Sequence, residues 1–265
     1  MKLIINADDF GMGTDKSRGI ILLAQMKKIN SVSVCVNSIE PDSAILRNSK
    51  KLLNCALGLH VNLSEGKALS NERDYVLAPL KVFRRAEQSL YYEKMLSASA
   101  IEMEIRAQLK RFQDIFSKSP NHLDSHQHFA YLSPTAFLAL LSVSNEYKIP
   151  IRSPRAFLKK ARLEQFLERI KERYGIVLPM STTITIKKLN SLIERYGLIS
   201  RTDDCLIDFD FCTFNTKHGF YNMYNRTGSL EILCHPRLIS SNAISQPCSE
   251  TAAILRSSFG KLREV

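Results

Sequence analysis

The amino-acid sequence predicts an α/β fold in which a parallel sheet is covered by helices. Three features of the 265-residue chain point there. Short apolar runs alternate with amphipathic segments from end to end. The longest apolar runs, such as Ile20 to Ala24 and Phe137 to Leu141, are far too short to cross a bilayer. Polar residues of chemical interest fall at the carboxyl ends of several different predicted strands. Strand–helix alternation builds parallel βαβ units. A chain of this length is expected to fold as one domain, residues 1–265, as α/β barrels of roughly 250 residues do.

The elements follow in order. Leu3-Ile4-Ile5 is a buried strand that feeds a polar loop at Asn6-Ala7-Asp8-Asp9. A helix begins near Thr14 or Asp15 as N-cap, with Ile20, Leu23, Ala24 and Lys27 in its repeat. Ser31 to Asn37 alternates Val32, Val34 and Val36 as a second strand, and Ala56 to Leu63 is a third, interrupted by His60. Residues 64–98 have no clean period and are too long for an ordinary connection, which predicts an elaborated loop or lid. Ile101 to Phe116 carries Ile101, Ile105, Leu109, Phe112 and Phe116 on one helical stripe, and Pro120 stops it. His122 to His128 reads as a short extended segment. Ser133-Pro134 is an N-cap followed by Pro at the first helical position. Pro150-Ile151-Arg152 is a brief strand, Leu163 to Tyr174 a helix, and Thr182 to Ile186 and Leu230 to Cys234 are further strands.

The composition narrows the function. A chain that is 45% hydrophobic and 24% charged is neither collagenous, low-complexity nor disordered. The net charge of +11 invites a nucleic-acid reading. Yet the basic pairs are scattered, and the densest stretch, Lys159 to Arg173, is interleaved with Glu164, Glu168 and Glu172 at helical spacing. That is a solvated helix face rather than a groove. The six Cys form no CxxC pair, which predicts reduced and mostly buried thiols. Residues 1–30 lack the blocks of a signal peptide, and a soluble, cytoplasmic protein is expected.

The chemistry gathers in four segments. Asp8-Asp9 places two carboxylates side by side, where they repel unless solvated or neutralised. Read alone, this pair is more readily a solvated turn that caps the following helix than a site. His60 lies in the apolar run Leu57 to Leu63 and needs a hydrogen bond or a metal. His122-Leu123-Asp124-Ser125-His126-Gln127-His128 is denser. In an extended chain His122, Asp124, His126 and His128 share one face, and such donors suit Zn, Fe, Mn or Mg. Glu231 to Pro236 ends an apolar run with His235, and the Pro fixes the chain leaving it. Convergence of several strand ends on one centre is the habit of a barrel, although open α/β sheets also build sites at that edge.

Taken together, the segments Asn6-Ala7-Asp8-Asp9-Phe10-Gly11, Gly58-Leu59-His60-Val61-Asn62-Leu63, His122 to His128 and Cys234-His235-Pro236 resemble the YdjC-like carbohydrate deacetylases, the family of the chitooligosaccharide deacetylases. They occur in the family's order and span nearly the whole chain. The resemblance implies a distorted (β/α) barrel of parallel strands surrounded by helices. It also implies a divalent metal, Mg2+ or Zn2+, and hydrolysis of an N-acetyl group from an amino sugar or chitooligosaccharide.

Carried over residue by residue, the resemblance implies Asp9, His60 and His126 as metal ligands, Asp8 as general base and His235 as general acid. It implies that His128 orients a ligand and that Arg152 contacts substrate or Asp8. The expected partners are the acetylated sugar and a second copy of the chain, with no nucleic acid and no membrane. Two positions depart from the family's pattern: Ala130, where many relatives have a His, and Arg237, where a small residue is usual. Two rival functions remain beside this one. A phosphoesterase or other amidohydrolase would keep the metal, whereas a non-catalytic binder of polysaccharides or anions would need neither carboxylate.

Overall fold

The computed structural model describes residues 2–39, 48–52, 54–71, 77–206, 228–241 and 244–247. The chain forms two compact units, residues 1–60 with 202–265, and residues 61–201.

In the first unit the strands β1 (Lys2–Phe10), β2 (Ser31–Val34), β3 (Ala56–Val61), β5 (Asp204–Leu206) and β6 (Ser229–Cys234) lie in the order β3-β2-β1-β6-β5. Every pairing among them is parallel, as the sequence predicts. Ile5, Ala7, Phe10, Val32, Val34 and Leu59 have no exposure, so the central strands are covered on both faces. The helix α1 (Thr14–Gln25) adds Ile20 and Leu23 to this core. Truncating one such aliphatic side chain to Ala would cost about 2–5 kcal/mol. A hairpin of β7 (Leu238–Ser241) and β8 (Ile244–Pro247) is antiparallel.

Two local expectations are corrected here. The first strand does not end at Asn6. It runs through Asp8 and Asp9, with Asn6 opposite Ser31 and Ala7 opposite Val32, and the register then slips before Phe10 meets Val34. That irregularity admits an extra residue, and Asp9 takes a φ of 72° to absorb it. The cap of α1 is Gly13, at φ 101°, with no side-chain cap from Thr14 or Asp15; Ser17 Oγ instead donates to the Gly13 carbonyl at 2.8 Å.

The second unit holds β4 (Leu123–Ser125), joined by a parallel bridge from Leu123 to Ile151, which bridges in turn to Ser200. Its helices are α2 (Ala86–Tyr91), α3 (Ala98–Phe116), α4 (Phe129–Leu132), α5 (Pro134–Tyr147), α6 (Arg155–Leu158), α7 (Lys160–Tyr174) and α8 (Thr182–Tyr196). The predicted stripe of α3 is buried at Ile101, Ile105, Leu109 and Phe112. Ser133 caps α5 as expected, accepting from the Ala136 N–H at 3.1 Å, with Pro134 in the first turn. The predicted i,i+4 face on α7 is present, with Lys160 Nζ 3.8 Å from Glu164.

Two readings change in this unit as well. Thr182 to Ile186 is the start of α8, not a strand. The β-branched run mimics a strand, but Ser181 caps it by accepting from the Ile184 N–H, and Thr185 and Leu189 fall on its buried side. The His-rich segment is extended only as far as Ser125. Gln127 and His128 have φ of 52° and 54°, and the chain curls through His126–His128 into α4. Alternation along a strand therefore cannot align all four of its polar residues.

The described part of residues 64–98 contains α2 and an antiparallel bridge between Lys67 and Val82. It is tied to α3 by the Glu104 carboxylate, which accepts from the N–H groups of Leu69 and Ser70 and from Gln108 Nε2. Burial nevertheless pushes the Glu104 carboxyl above its ordinary value, outweighing those three donors.

Candidate functional site

In the first unit the slip in β1 is what aims the two carboxylates. Asn6 and Asp8 are two residues apart on one face of the strand, and Asn6 Nδ2 donates to Asp8 Oδ1 at 2.6 Å. The same amide donates to Ser33 Oγ on β2 at 2.7 Å, so Asp8 is oriented through a neighbour anchored on both strands. Asp9, in its left-handed conformation, points elsewhere. Its Oδ1 lies 3.4 Å from His60 Nε2, and its Oδ2 accepts from Lys16 Nζ at 2.7 Å. Asp is one of the few side chains that tolerates this backbone region, and strain of this kind collects at working sites.

Asp8, Asp9 and His60 are all nearly wholly buried. Asp9, His60 and Cys35 each offer one donor atom, and those atoms lie within 4.8 Å of one another. Sequence reasoning passed over Cys35. The signal for it was its place at the carboxyl end of β2, the same rule that picked out His60. Gly11 holds this corner together: at φ +100° it has no Cβ, and a Cβ there would come within 2.8 Å of the Cys35 carbonyl oxygen.

His235 leaves β6 one residue beyond the pairing of Cys234 with Ala7, and it is half-buried. The chain after it passes so close to α1 that a Cβ on Gly19 would stand 2.7 Å from the Arg237 Cα. Glycine in mid-helix usually costs stability. Here it gives the His-Pro segment room to cross α1.

The second unit holds the remaining candidates. Asp124 and Arg152 are fully buried and paired, with Arg152 Nη2 2.6 Å from Asp124 Oδ2. His122 Nε2 lies 3.7 Å from the same carboxylate oxygen. Tyr131 adds a hydrogen bond from its hydroxyl to the Arg152 carbonyl. His126 is buried, with Nε2 3.5 Å from Glu65 Oε1. Glu65, also missed by the sequence reading, accepts from Gln127 Nε2 at 2.6 Å. His128 packs among rings, 5.1 Å from Phe157 and 5.5 Å from Phe166 between centroids.

The sequence has counterparts among known proteins. A family model described as YdjC-like protein matches residues 2–263. The chain belongs to the YdjC-like family. Among curated YdjC-type relatives, a carbohydrate deacetylase 2 from Listeria innocua is 32% identical over 153 residues, 58% of this chain and 60% of the relative. A carbohydrate deacetylase from Danio rerio is 32% identical over 48% of this chain and 42% of its own length. A chitooligosaccharide deacetylase from Proteus mirabilis is 30% identical over 61% of this chain and 62% of its own length. The chain thus matches these relatives over about two-fifths to three-fifths of their length.

A crystal structure from Enterococcus faecalis, described as a "putative cellobiose-phosphate cleavage protein", superposes with a TM-score of 0.68 at 20% identity. That match covers 98% of this chain and 92% of the other. It shows that the YdjC-like chain shares that protein's α/β fold. No helix among the described residues is long and apolar enough to cross a membrane.

Proposed function

We propose that this YdjC-like protein is a metal-dependent hydrolase that removes an N-acetyl group from an amino sugar or chitooligosaccharide. The observation that carries the reading is the buried Asp9–His60 pair, with its donor atoms 3.4 Å apart, next to a second carboxylate held by Asn6. A carboxylate and an imidazole brought together in a buried corner are a donor set for a divalent cation. The relatives named as deacetylases support the choice of substrate.

In this reading Asp9, His60 and His126 hold the metal, Mg2+ or Zn2+. When bound, the metal polarises the acetyl carbonyl and lowers the pKa of water. Asp8, oriented by Asn6, takes a proton from the attacking water. His235 delivers a proton to the departing sugar amine, a task to which imidazole is suited. Arg152 holds Asp124 in place beneath the His-rich turn, and His128 fixes that turn through its aromatic neighbours.

The test is acetate release from short N-acetylglucosamine oligomers by the metal-reconstituted protein, run beside phosphate release from sugar phosphates. Acetate without phosphate is the expected result. Phosphate without acetate would overturn the deacetylase reading and leave a metal-dependent phosphoesterase.

A further inference from the structure

The corner that holds Asp9 and His60 contains a donor which the proposed ligand set leaves unused. Cys35 follows directly on β2, is wholly buried, and has its N–H bonded to the Phe10 carbonyl at 2.8 Å. Its position is thereby tied to the residue after Asp9. Its Sγ belongs to the group of donor atoms that lie within 4.8 Å of one another with those of Asp9 and His60. We infer that Cys35 is a thiolate ligand of this centre and makes it selective for zinc or a similarly thiophilic divalent cation over magnesium. The inference rests on the metal reading above.

The chemistry runs as follows. Carboxylate and imidazole donors accept a broad set of cations, whereas Mg2+ prefers an oxygen octahedron and is a poor partner for sulfur. A thiolate removes that breadth. With Zn–S near 2.3 Å and Zn–N or Zn–O near 2.0–2.2 Å, tetrahedral donors sit roughly 3.3–3.6 Å apart. The Asp9–His60 pair stands at 3.4 Å, and the Cys35 Sγ lies within 4.8 Å of a donor atom on each. As the sulfur–metal bond forms, the S–H bond breaks heterolytically and its proton leaves to water, with no change in oxidation state. One carboxylate and one thiolate then balance the charge of a divalent ion. Lys16 stays on the outer oxygen of Asp9, at 2.7 Å, so it need not compete for the inner one.

The bland alternative is that Cys35 is a small apolar filler, as buried cysteines commonly are. A filler makes no bond to the metal, and spectroscopy separates the two roles. The metal-free full-length protein would be reconstituted with Co2+ and, separately, with Zn2+. The expected result is a near-ultraviolet thiolate-to-cobalt charge-transfer band in the wild type that disappears in Cys35→Ser. The cobalt ligand-field bands should remain in that variant. Zinc affinity should fall by about tenfold or more in Cys35→Ser, with magnesium affinity unchanged.

X-ray absorption of the zinc-loaded wild type should show one sulfur scatterer at about 2.3 Å. That measurement keeps the test intact should the variant fail to fold. Cobalt or zinc bound with nitrogen and oxygen scatterers alone would overturn the thiolate and leave the metal reading standing. A band that persists in Cys35→Ser would assign the sulfur to another cysteine and overturn the inference. If the wild type binds neither cobalt nor zinc, this inference fails; if it binds no magnesium either, the metal reading fails with it.

Discussion

His60 Nε2 stands 3.4 Å from Asp9 Oδ1, and the two side chains reach each other from β3 and β1 with β2 between them in the sheet. Neither residue could do this from a regular strand alone. The slip in register between Ala7 and Phe10 turns Asp9 out of the alternation that Asn6 and Asp8 obey. One carboxylate is thus held by a strand neighbour, and the other, paired with Lys16, is turned toward an imidazole from a more distant strand.

The roles of Asp8 and His235 make the first prediction. Asp8→Asn and His235→Ala should each leave metal content nearly intact and cut kcat by roughly 10²–10⁴-fold, the usual share of positioned proton transfer. A substrate whose leaving amine needs no protonation should rescue His235→Ala and not Asp8→Asn. Near-normal kcat in folded, metal-loaded His235→Ala would remove His235 from the mechanism.

Arg152 supplies a test of structure against catalysis. Its guanidinium is wholly buried on Asp124, so Arg152→Met leaves a buried charge without its partner. Urea unfolding should register a loss of about 3–5 kcal/mol. The double variant Arg152→Met with Asp124→Leu should recover part of that loss. A stable Arg152→Met protein with a raised KM would instead make Arg152 a substrate contact.

Glu104 makes the stability of the loop anchor depend on pH. Its folded carboxyl lies above the ordinary value because burial outweighs its hydrogen bonds. The folded state therefore holds the proton more tightly than the unfolded chain. The stabilisation is fully present below the ordinary carboxylate range and is lost as pH rises through the raised folded value. The urea midpoint of wild type minus that of Glu104→Gln, measured across that window, should fall as pH rises. A difference that grows in favour of wild type would mean that the N–H groups of Leu69 and Ser70 outweigh burial.

Much of the fold could be read from residue order because its signals are local. The stripe on α3, the Ser133-Pro134 start of α5 and the apolar run of β6 each need only their neighbours in sequence. The features that shape the site do not. The slip at Asp8-Asp9 depends on the register with β2, which no pattern within β1 encodes. The turn at Gln127-His128 uses two left-handed residues that are not glycine, so strand alternation was the natural but wrong reading. Gly19 looks like a flaw in a helix until Arg237 is seen against it. Cys35 looked inert because the residues whose donor atoms gather with its Sγ, Asp9 and His60, come from other strands. The Thr182 run shows the converse: strong local β character gave way to a cap and a buried helical face.

The central claim is that Asp9, His60 and His126 hold a divalent metal. Its most direct test is elemental analysis of the purified, reconstituted protein beside folded His60→Ala and His126→Ala variants. The account predicts close to one metal per chain in the wild type and little or none in either variant, with circular dichroism unchanged. Full metal in both variants would contradict it.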